Sequence, residues 1–371
     1  MELFTAILHL RGATKKFLFV RKIIDFIPLL STVDRFVYRY ASVRIEEKKI
    51  VSYSLNESRP KINLVCDLKC TPPTYGDFSS FLTAIGILSL RFEVTFVMVI
   101  DELRSDWKEL GDDEQSRRIS DFRELADKVV ANYRAELKIA SSYSELLNLT
   151  AEGKTVFSDF VSKRKKIYRD LITFYNLLYK SIGCDQKVLL DQIEFSRLKL
   201  KPSFKYVLWH IRTESVWSME HDLSDQEIVE IYEPLRRILG SEIEIVVCGN
   251  QKGLQRVMNL AAQRQLEITS ARTYSENFLS DVTLLRKCGF FLQVGGGGLA
   301  EYALNSSVPY FISSFPWTKR DFKQSRLIPG RKNQVNVWQT ANQVFLLKNP
   351  RSKDNFENQL IKFWCDLSVV E

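Results

Sequence analysis

Residues 289–314 read GFFLQVGGGGLAEYALNSSVPYFISS, and the succession of residue types in this stretch decides the fold. GFFLQV (289–294) is a short, nearly continuous apolar run, the pattern of a strand buried on both faces. GLAEYALNSS continues with apolar residues at helical spacing, and VPYFISS (308–314) returns to a β-branched and aromatic run. Strand, helix and strand in this order form a βαβ unit with parallel strands. The same alternation extends upstream. KYVLWHIR (205–212) and EIEIVVCGN (242–250) read as strands, and LEITSA as a short one. Between them LSDQEIVEIYEPLRRIL (223–239), opened by a Ser/Asp cap, reads as a helix, as do GLQRVMNLAAQRQ and SENFLSDVTLLRKC.

An earlier βαβ unit lies upstream of this series. KINLVCDL (61–68) is a buried strand, KCTPPTYGD a turn-rich loop, DFSSFLTAIGILSLR a helix and FEVTFVMVID (92–101) a second strand. Helix is expected over 105–135 and over most of 141–200, where the basic run KRKK (163–166) falls inside an amphipathic segment. NFENQLIKFWCDL (355–367) is an amphipathic terminal helix. The fold expected is α/β: two Rossmann-like doubly wound domains in tandem, with a helical basic N-terminal extension. The boundaries expected are 1–60 for the extension, 61–200 for the first domain and 201–350 for the second. Residues 351–371 are expected to pack back on the N-terminal domain.

Composition narrows the function. The chain has 371 residues, 53 Lys+Arg against 45 Asp+Glu, and a formal net charge of +8. At ~150 residues per domain this length suits two domains. With 45% apolar and 26% charged residues it is neither disordered, collagenous nor a coiled coil. No window approaches the ~20 uncharged apolar residues of a membrane-spanning helix. The six cysteines are scattered, so buried reduced thiols and a cytoplasmic, reducing compartment are expected. Residues 12–45 are aromatic and basic, with Asp25 and Asp34 as the only acids, which suits either peripheral contact with an anionic membrane or a helical layer on the first domain. Elsewhere the basic residues are not interleaved with aromatics, so a nucleic-acid partner is not expected.

Four places carry candidate chemistry. Gly295, Gly296, Gly297 and Gly298 follow a buried strand and open a helix, where backbone without side chains approaches a phosphate closely. Glu301, one turn on, suits the vicinal hydroxyls of a ribose; a flexible turn with a solvated glutamate is the plainer alternative. At the end of KYVLWHIR, His210 and Arg212 alternate onto one face, and Thr213 adds a hydroxyl. Arginine is the side chain best shaped for a phosphate, whereas a buried structural histidine is the other reading of His210. In TPPTYGDFSS (71–80), Asp77 suits a helix cap or a general base that deprotonates a hydroxyl. Lys319 and Arg320, after the strand at 308–314, offer positive charge to a diphosphate or simply sit in solvent, with Trp317 or Phe315 as a stacking face.

VGGGGLAEYALNSSVPYF resembles the donor-binding segment of two-domain glycosyltransferases of the GT-B type. Gly295 to Gly298, Glu301 and Pro309 match its small-residue loop, ribose-binding glutamate and proline before the next strand, and Asp281 in FLSDVTLL stands in the place of a common acid. Separately, WHIRTES is similar to the His-x-Arg motif of GDP-fucose-using transferases, in which the arginine contacts the β-phosphate of the donor. Glu214 only approximates the acid that often follows there, and the other motifs of those enzymes are not evident.

The resemblance implies transfer of a sugar from a GDP- or UDP-sugar to a hydroxyl of a glycan or glycolipid. Taken with the residue readings above, it gives His210, Arg212 and Asp77 the catalytic roles, and Thr213, Gly295 to Gly298, Glu301, Asp281, Lys319 and Arg320 the donor. With no Asp-x-Asp and no metal-spaced His/Cys cluster in the chain, neither metal nor cofactor is expected, the nucleotide sugar being a co-substrate. A nucleotide-sugar epimerase and a non-catalytic nucleotide- or polysaccharide-binding protein remain the alternatives on the same fold.

Overall fold

The computed structural model describes residues 28–55, 59–182, 193–202, 205–213, 222–294, 298–313, 343–346 and 353–368. The described residues up to Ile182 belong to one compact unit and those from Ile193 onward to another.

The first unit is built on a four-stranded parallel sheet. Its strands are β1 (Lys61–Asp67), β2 (Glu93–Val99), β3 (Ala135–Ala140) and β4 (Lys154–Thr155), in the order β3-β2-β1-β4. The apolar runs of β1 and β2 are buried on both faces, as a central parallel pair requires. Helix α1 covers Pro28–Ser54, α2 Tyr75–Leu88, α3 Asp112–Asn132, α4 Tyr143–Leu149 and α5 Tyr168–Ser181, with single helical turns at Ser105–Lys108 and Ser158–Val161.

Two expectations change here. The N-terminal extension is not separate from the first domain along its whole length. Ala41, Val43 and Ile50 of α1 are fully buried, Glu46 accepts the Phe157 amide at 2.8 Å, and Glu47 accepts the Ser181 hydroxyl at 2.5 Å. Within the described residues α1 begins at Pro28, where a proline breaks no intrahelical bond. Residues 12–27 of the segment expected to meet a membrane lie outside the described residues. No described helix is long and apolar enough to cross one. The KRKK run, expected within a helix, instead falls between the turn at Ser158–Val161 and α5, with Arg164 at a positive φ of 47°.

The second unit carries a six-stranded parallel sheet: β5 (Tyr206–Ile211), β6 (Glu244–Cys248), β7 (Thr269–Ser270), β8 (Phe290–Val294), β9 (Tyr310–Ser313) and β10 (Gln343–Leu346). The order is β10-β9-β8-β5-β6-β7, every neighbouring pair parallel. Counted within the unit this is 3-2-1-4-5-6, the order of dinucleotide-binding sheets, with its reversal between β5 and β8. Both units are therefore Rossmann-like and doubly wound.

Helices α6 (Asp225–Leu239), α7 (Gln251–Arg264), α8 (Phe278–Leu285), α9 (Gly298–Leu304) and α10 (Lys353–Ser368) complete this unit. Ser224 caps α6 in a reciprocal box with Glu227, the cap expected at that position. One face of the sheet, made by Val207, Trp209, Ile211, Val247, Leu292 and Val294, packs into a core with α6, α7 and α10.

Two boundaries move as well. Helix α10 buries Phe356, Leu360 and Phe363 on the second sheet, with ring centroids of Phe363 5.3 Å from Phe290 and 5.6 Å from Phe311. Helix α10 therefore covers the sheet of its own unit, where burying each such side chain contributes about 1.5–3 kcal/mol. Residues 193–200, placed above in the first domain, belong with the second: Ile193 and Phe195 are buried, and Ser196 exchanges hydrogen bonds with Thr283 of α8 at 2.9 and 3.2 Å. Of the cysteines, Cys66, Cys70, Cys248 and Cys288 are buried and free as expected, whereas Cys365 is exposed on the outer face of α10. Cys184 lies outside the described residues.

Candidate functional site at the sheet reversal

In an open α/β sheet the crevice outside the carboxyl ends of the strands, at the reversal, is where loops diverge and a ligand fits. In the second unit that point lies between the ends of β5 and β8. Ile211 stands in register with Val294, and His210 with Gln293.

The loop leaving β5 is held from below by the β6–α7 turn. Gly249 lies so close to the strand that a Cβ there would meet the Ile211 carbonyl oxygen at 2.6 Å, and one on Gly253 would meet the Thr213 carbonyl oxygen at 2.6 Å. Asn250 caps α7 by accepting the Gly253 amide at 2.7 Å and donates to the Thr213 carbonyl at 2.7 Å. These contacts fix the backbone of Arg212 and Thr213, which carries the candidate side chains.

Arg212 reaches Asp222 through Nε at 3.4 Å and stays one-fifth exposed, while its carbonyl accepts the Leu223 amide at 2.9 Å. His210 is partly exposed, but its Nδ1 is enclosed and has no hydrogen-bond partner among the described residues. Burial, reinforced by the Arg212 charge, pushes the imidazole down from its ordinary 6.5 to about 4. It is therefore neutral near pH 7, and the positive charge of the motif resides in Arg212 alone.

Thr213 differs from expectation. It is completely buried, and its hydroxyl accepts a bond from Arg256 of α7 at 2.5 Å. Arg256 also grips Asp225 at the start of α6 at 2.7 and 3.0 Å. The Thr213 hydroxyl thus ties the loop to two helices. Arg256 was not singled out in the sequence, because an arginine within a regular amphipathic helix reads as solvated.

On the β8 side, Gly298 is the first residue of α9; Gly295, Gly296 and Gly297 lie outside the described residues, as do Lys319, Arg320, Trp317, Phe315 and His221. Glu301 is half-buried in the first turn of α9, and its charge adds to the burial that raises the Tyr310 phenol. Asp281, expected at the donor, is buried, with one oxygen accepting Ser275 at 2.5 Å and the other paired with Arg272. Both oxygens are thereby engaged inside the protein.

In the first unit, Asp77 lies in the first turn of α2, whose N-cap is Thr74. The Thr74 hydroxyl accepts the Asp77 amide at 3.3 Å and donates to the Asp77 carboxylate at 2.6 Å. The loop before it is fastened by Trp107, whose Nε1 donates to the Thr71 carbonyl at 2.8 Å, and by Arg118, which bonds the Pro73 carbonyl and lies 5.3 Å over the Tyr75 ring. Tyr75 in turn donates to Asp121.

A second cluster, not anticipated, sits at the C-terminal ends of β1 and β2. Arg164 binds both oxygens of Asp67 at 2.7 and 2.9 Å and both of Asp101 at 2.5 and 3.0 Å. The basic run KRKK (163–166) therefore sends its Arg164 inward. Among the described residues no three His, Cys, Asp or Glu side chains gather as metal ligands.

No family model matches this sequence, and no curated protein matches it either. Among solved structures the chain is similar to a family 9 glycosyl transferase from Veillonella parvula at 13% identity, covering 84% of this chain and 98% of that one with a TM-score of 0.41. It is also similar to the E. coli ADP-heptose lipopolysaccharide heptosyltransferase II at 11% identity, 82% and 99% coverage and a TM-score of 0.43. The UDP-GlcNAc 2-epimerase of Methanocaldococcus jannaschii follows at 11%, 81% and 99%, with 0.30. These likenesses are loose. The fold assignment rests on strand order and register.

Proposed function

We propose that the chain is a glycosyltransferase of GT-B type that moves a sugar from a nucleotide diphosphate sugar, GDP- or UDP-linked, to a hydroxyl of a glycan or glycolipid. The observation that carries this reading is Arg212 beside a neutral His210 at the reversal of a 3-2-1-4-5-6 sheet, on the strand next to β8. Transfer leaves negative charge on the departing diphosphate, and a prepositioned guanidinium opposes it. Gly295 to Gly298 bring backbone amides close to the diphosphate, Glu301 takes the ribose hydroxyls, and Lys319 with Arg320 add charge. Asp77 is the general base for the acceptor hydroxyl; the Thr74 hydroxyl bond at 2.6 Å holds its carboxylate in place. Thr213 and Asp281 serve by positioning: Thr213 through Arg256, Asp281 through Arg272.

The test is release of nucleoside diphosphate from a panel of donors, with and without glycan acceptors. Release that requires an acceptor and is lost in Asp77→Asn supports the reading. Conversion of the donor sugar without any acceptor points to an epimerase, and tight binding without product to a binding protein; either result contradicts it.

A further inference from the structure

Gln293 is the one polar side chain of β8, and it is 1% exposed. Its amide oxygen has no hydrogen-bond partner among the described residues, and the same holds for Nδ1 of His210, which stands beside it in register on β5. Residues paired in register on neighbouring parallel strands send their side chains to the same face. That face is opposite the one where Trp209, Ile211, Leu292 and Val294 form the core, and the remaining members of its row are Cys248 on β6, Ile312 on β9 and Phe345 on β10. Apolar packing alone gives no reason for an amide here, since leucine fills the same volume without an enclosed acceptor. Two unpaired polar atoms thus lie side by side at the reversal point. Two residues beyond His210, the end of β5 delivers Arg212.

We propose that His210 and Gln293 form a neutral hydrogen-bonding floor to the donor site and take the hydroxyls of the sugar ring joined to the diphosphate. This rests on the reading of the site given above. The chemistry favours hydroxyls over phosphate because neither side chain carries charge, and the nearby charge is that of Arg212. Along a strand, two residues span ~7 Å, which suits a phosphate at Arg212 and its attached ring at the pair. Two rings flank a diphosphate, the ribose and the transferred sugar, and both present hydroxyls.

The test is thermal unfolding and calorimetric titration of wild-type protein, Gln293→Leu and His210→Gln with inorganic pyrophosphate, GDP, UDP and the corresponding nucleotide sugars. Removing the enclosed acceptor in Gln293→Leu is expected to raise the midpoint of the free protein by about 2 °C. The same change is expected to weaken nucleotide-sugar binding about tenfold and leave pyrophosphate binding unchanged. Weakening that extends to GDP or UDP assigns the pair to the ribose; weakening confined to the nucleotide sugars assigns it to the transferred sugar. A Gln293→Leu protein that binds every ligand like the wild type overturns the proposal while leaving the donor reading intact, whatever its midpoint. His210→Gln, whose amide overlays Nε2 and leaves no acceptor at the Nδ1 position, serves as the second variant if Gln293→Leu does not fold: nucleotide-sugar binding identical to the wild type overturns the proposal there too. Wild-type protein that binds none of the nucleotides overturns both.

Discussion

The two sheets share the order 3-2-1-4 around their first strands, yet their carboxyl ends are finished in opposite ways. At the end of the first sheet, Asp67 and Asp101 are closed off by Arg164, which satisfies four carboxylate oxygens with one guanidinium. At the end of the second, His210 and Gln293 carry enclosed polar atoms that no described residue satisfies. The same topology therefore supports two different uses. The first edge is a lock that holds a loop and its left-handed Arg164; the second, on the proposal above, keeps hydrogen-bonding capacity for a ligand. A buried polar group left unpaired costs stability, and the two such atoms of His210 and Gln293, on the paired strands β5 and β8, are the ones the proposed donor site would use.

The comparison breaks most sharply at its two arginines. Arg212→Ala is expected to lower donor turnover, read as kcat/KM, by ~10²-fold or more, the scale of a lost charge stabiliser. Arg164→Ala is expected to cost about 3 kcal/mol in urea denaturation, because it strands two mostly buried carboxylates. If Arg164→Ala lost turnover with full stability, or Arg212→Ala lost stability with full turnover, the two edges would have been assigned the wrong way round.

Acid separates them next. His210 titrates lower in the folded chain, about 4, than its ordinary 6.5, so the unfolded chain binds its proton first. Stability from this group is complete above pH 6.5 and is lost as pH falls toward 4. Burial works to raise Asp101, but the Arg164 bonds prevail and hold it below its ordinary 3.8, so its contribution is complete above that value and disappears only below it. Unfolding followed against pH should show a first loss between 6.5 and 4 that His210→Gln abolishes. A profile flat down to pH 4 would show that the surroundings of His210 do not hold its imidazole neutral. The smallest effect is expected at Thr213→Val, which removes one bond to Arg256 and should cost about 1 kcal/mol of stability.

Much of the second sheet was legible because β5, β6, β8 and β9 are apolar runs between turn residues, the signature of strands covered on both faces. Three strands escaped. β3 is AELKIA, whose Ala, Glu and Lys read as helix and whose residues are only partly buried at the sheet edge. β4 has two residues, too few to show a period, and β10 has four among polar neighbours. Tertiary pairing, not local preference, makes these strands.

At the site, His210 and Arg212 stood out because a histidine and an arginine at a strand end are unusual company. Gln293 did not, since one amide in FFLQV leaves the apolar run intact; only the register with His210 gives it meaning. Arg164 and Arg256 were hidden by the same habit of reading charge in a basic run or on a helix as solvated. Thr213 and Asp281 stood out as donor-binding candidates, but their partners Arg256 and Arg272 lie 43 and 9 residues away along the chain.

The central claim is that the reversal point of the second sheet holds a nucleotide diphosphate sugar through Arg212. Thermal unfolding of the wild-type chain and of Arg212→Ala, each with a panel of GDP-, UDP- and CMP-sugars, tests it most directly. At least one GDP- or UDP-sugar should raise the wild-type midpoint, and the variant should lose most of that rise. If no donor shifts the wild type more than it shifts Arg212→Ala, the claim is wrong.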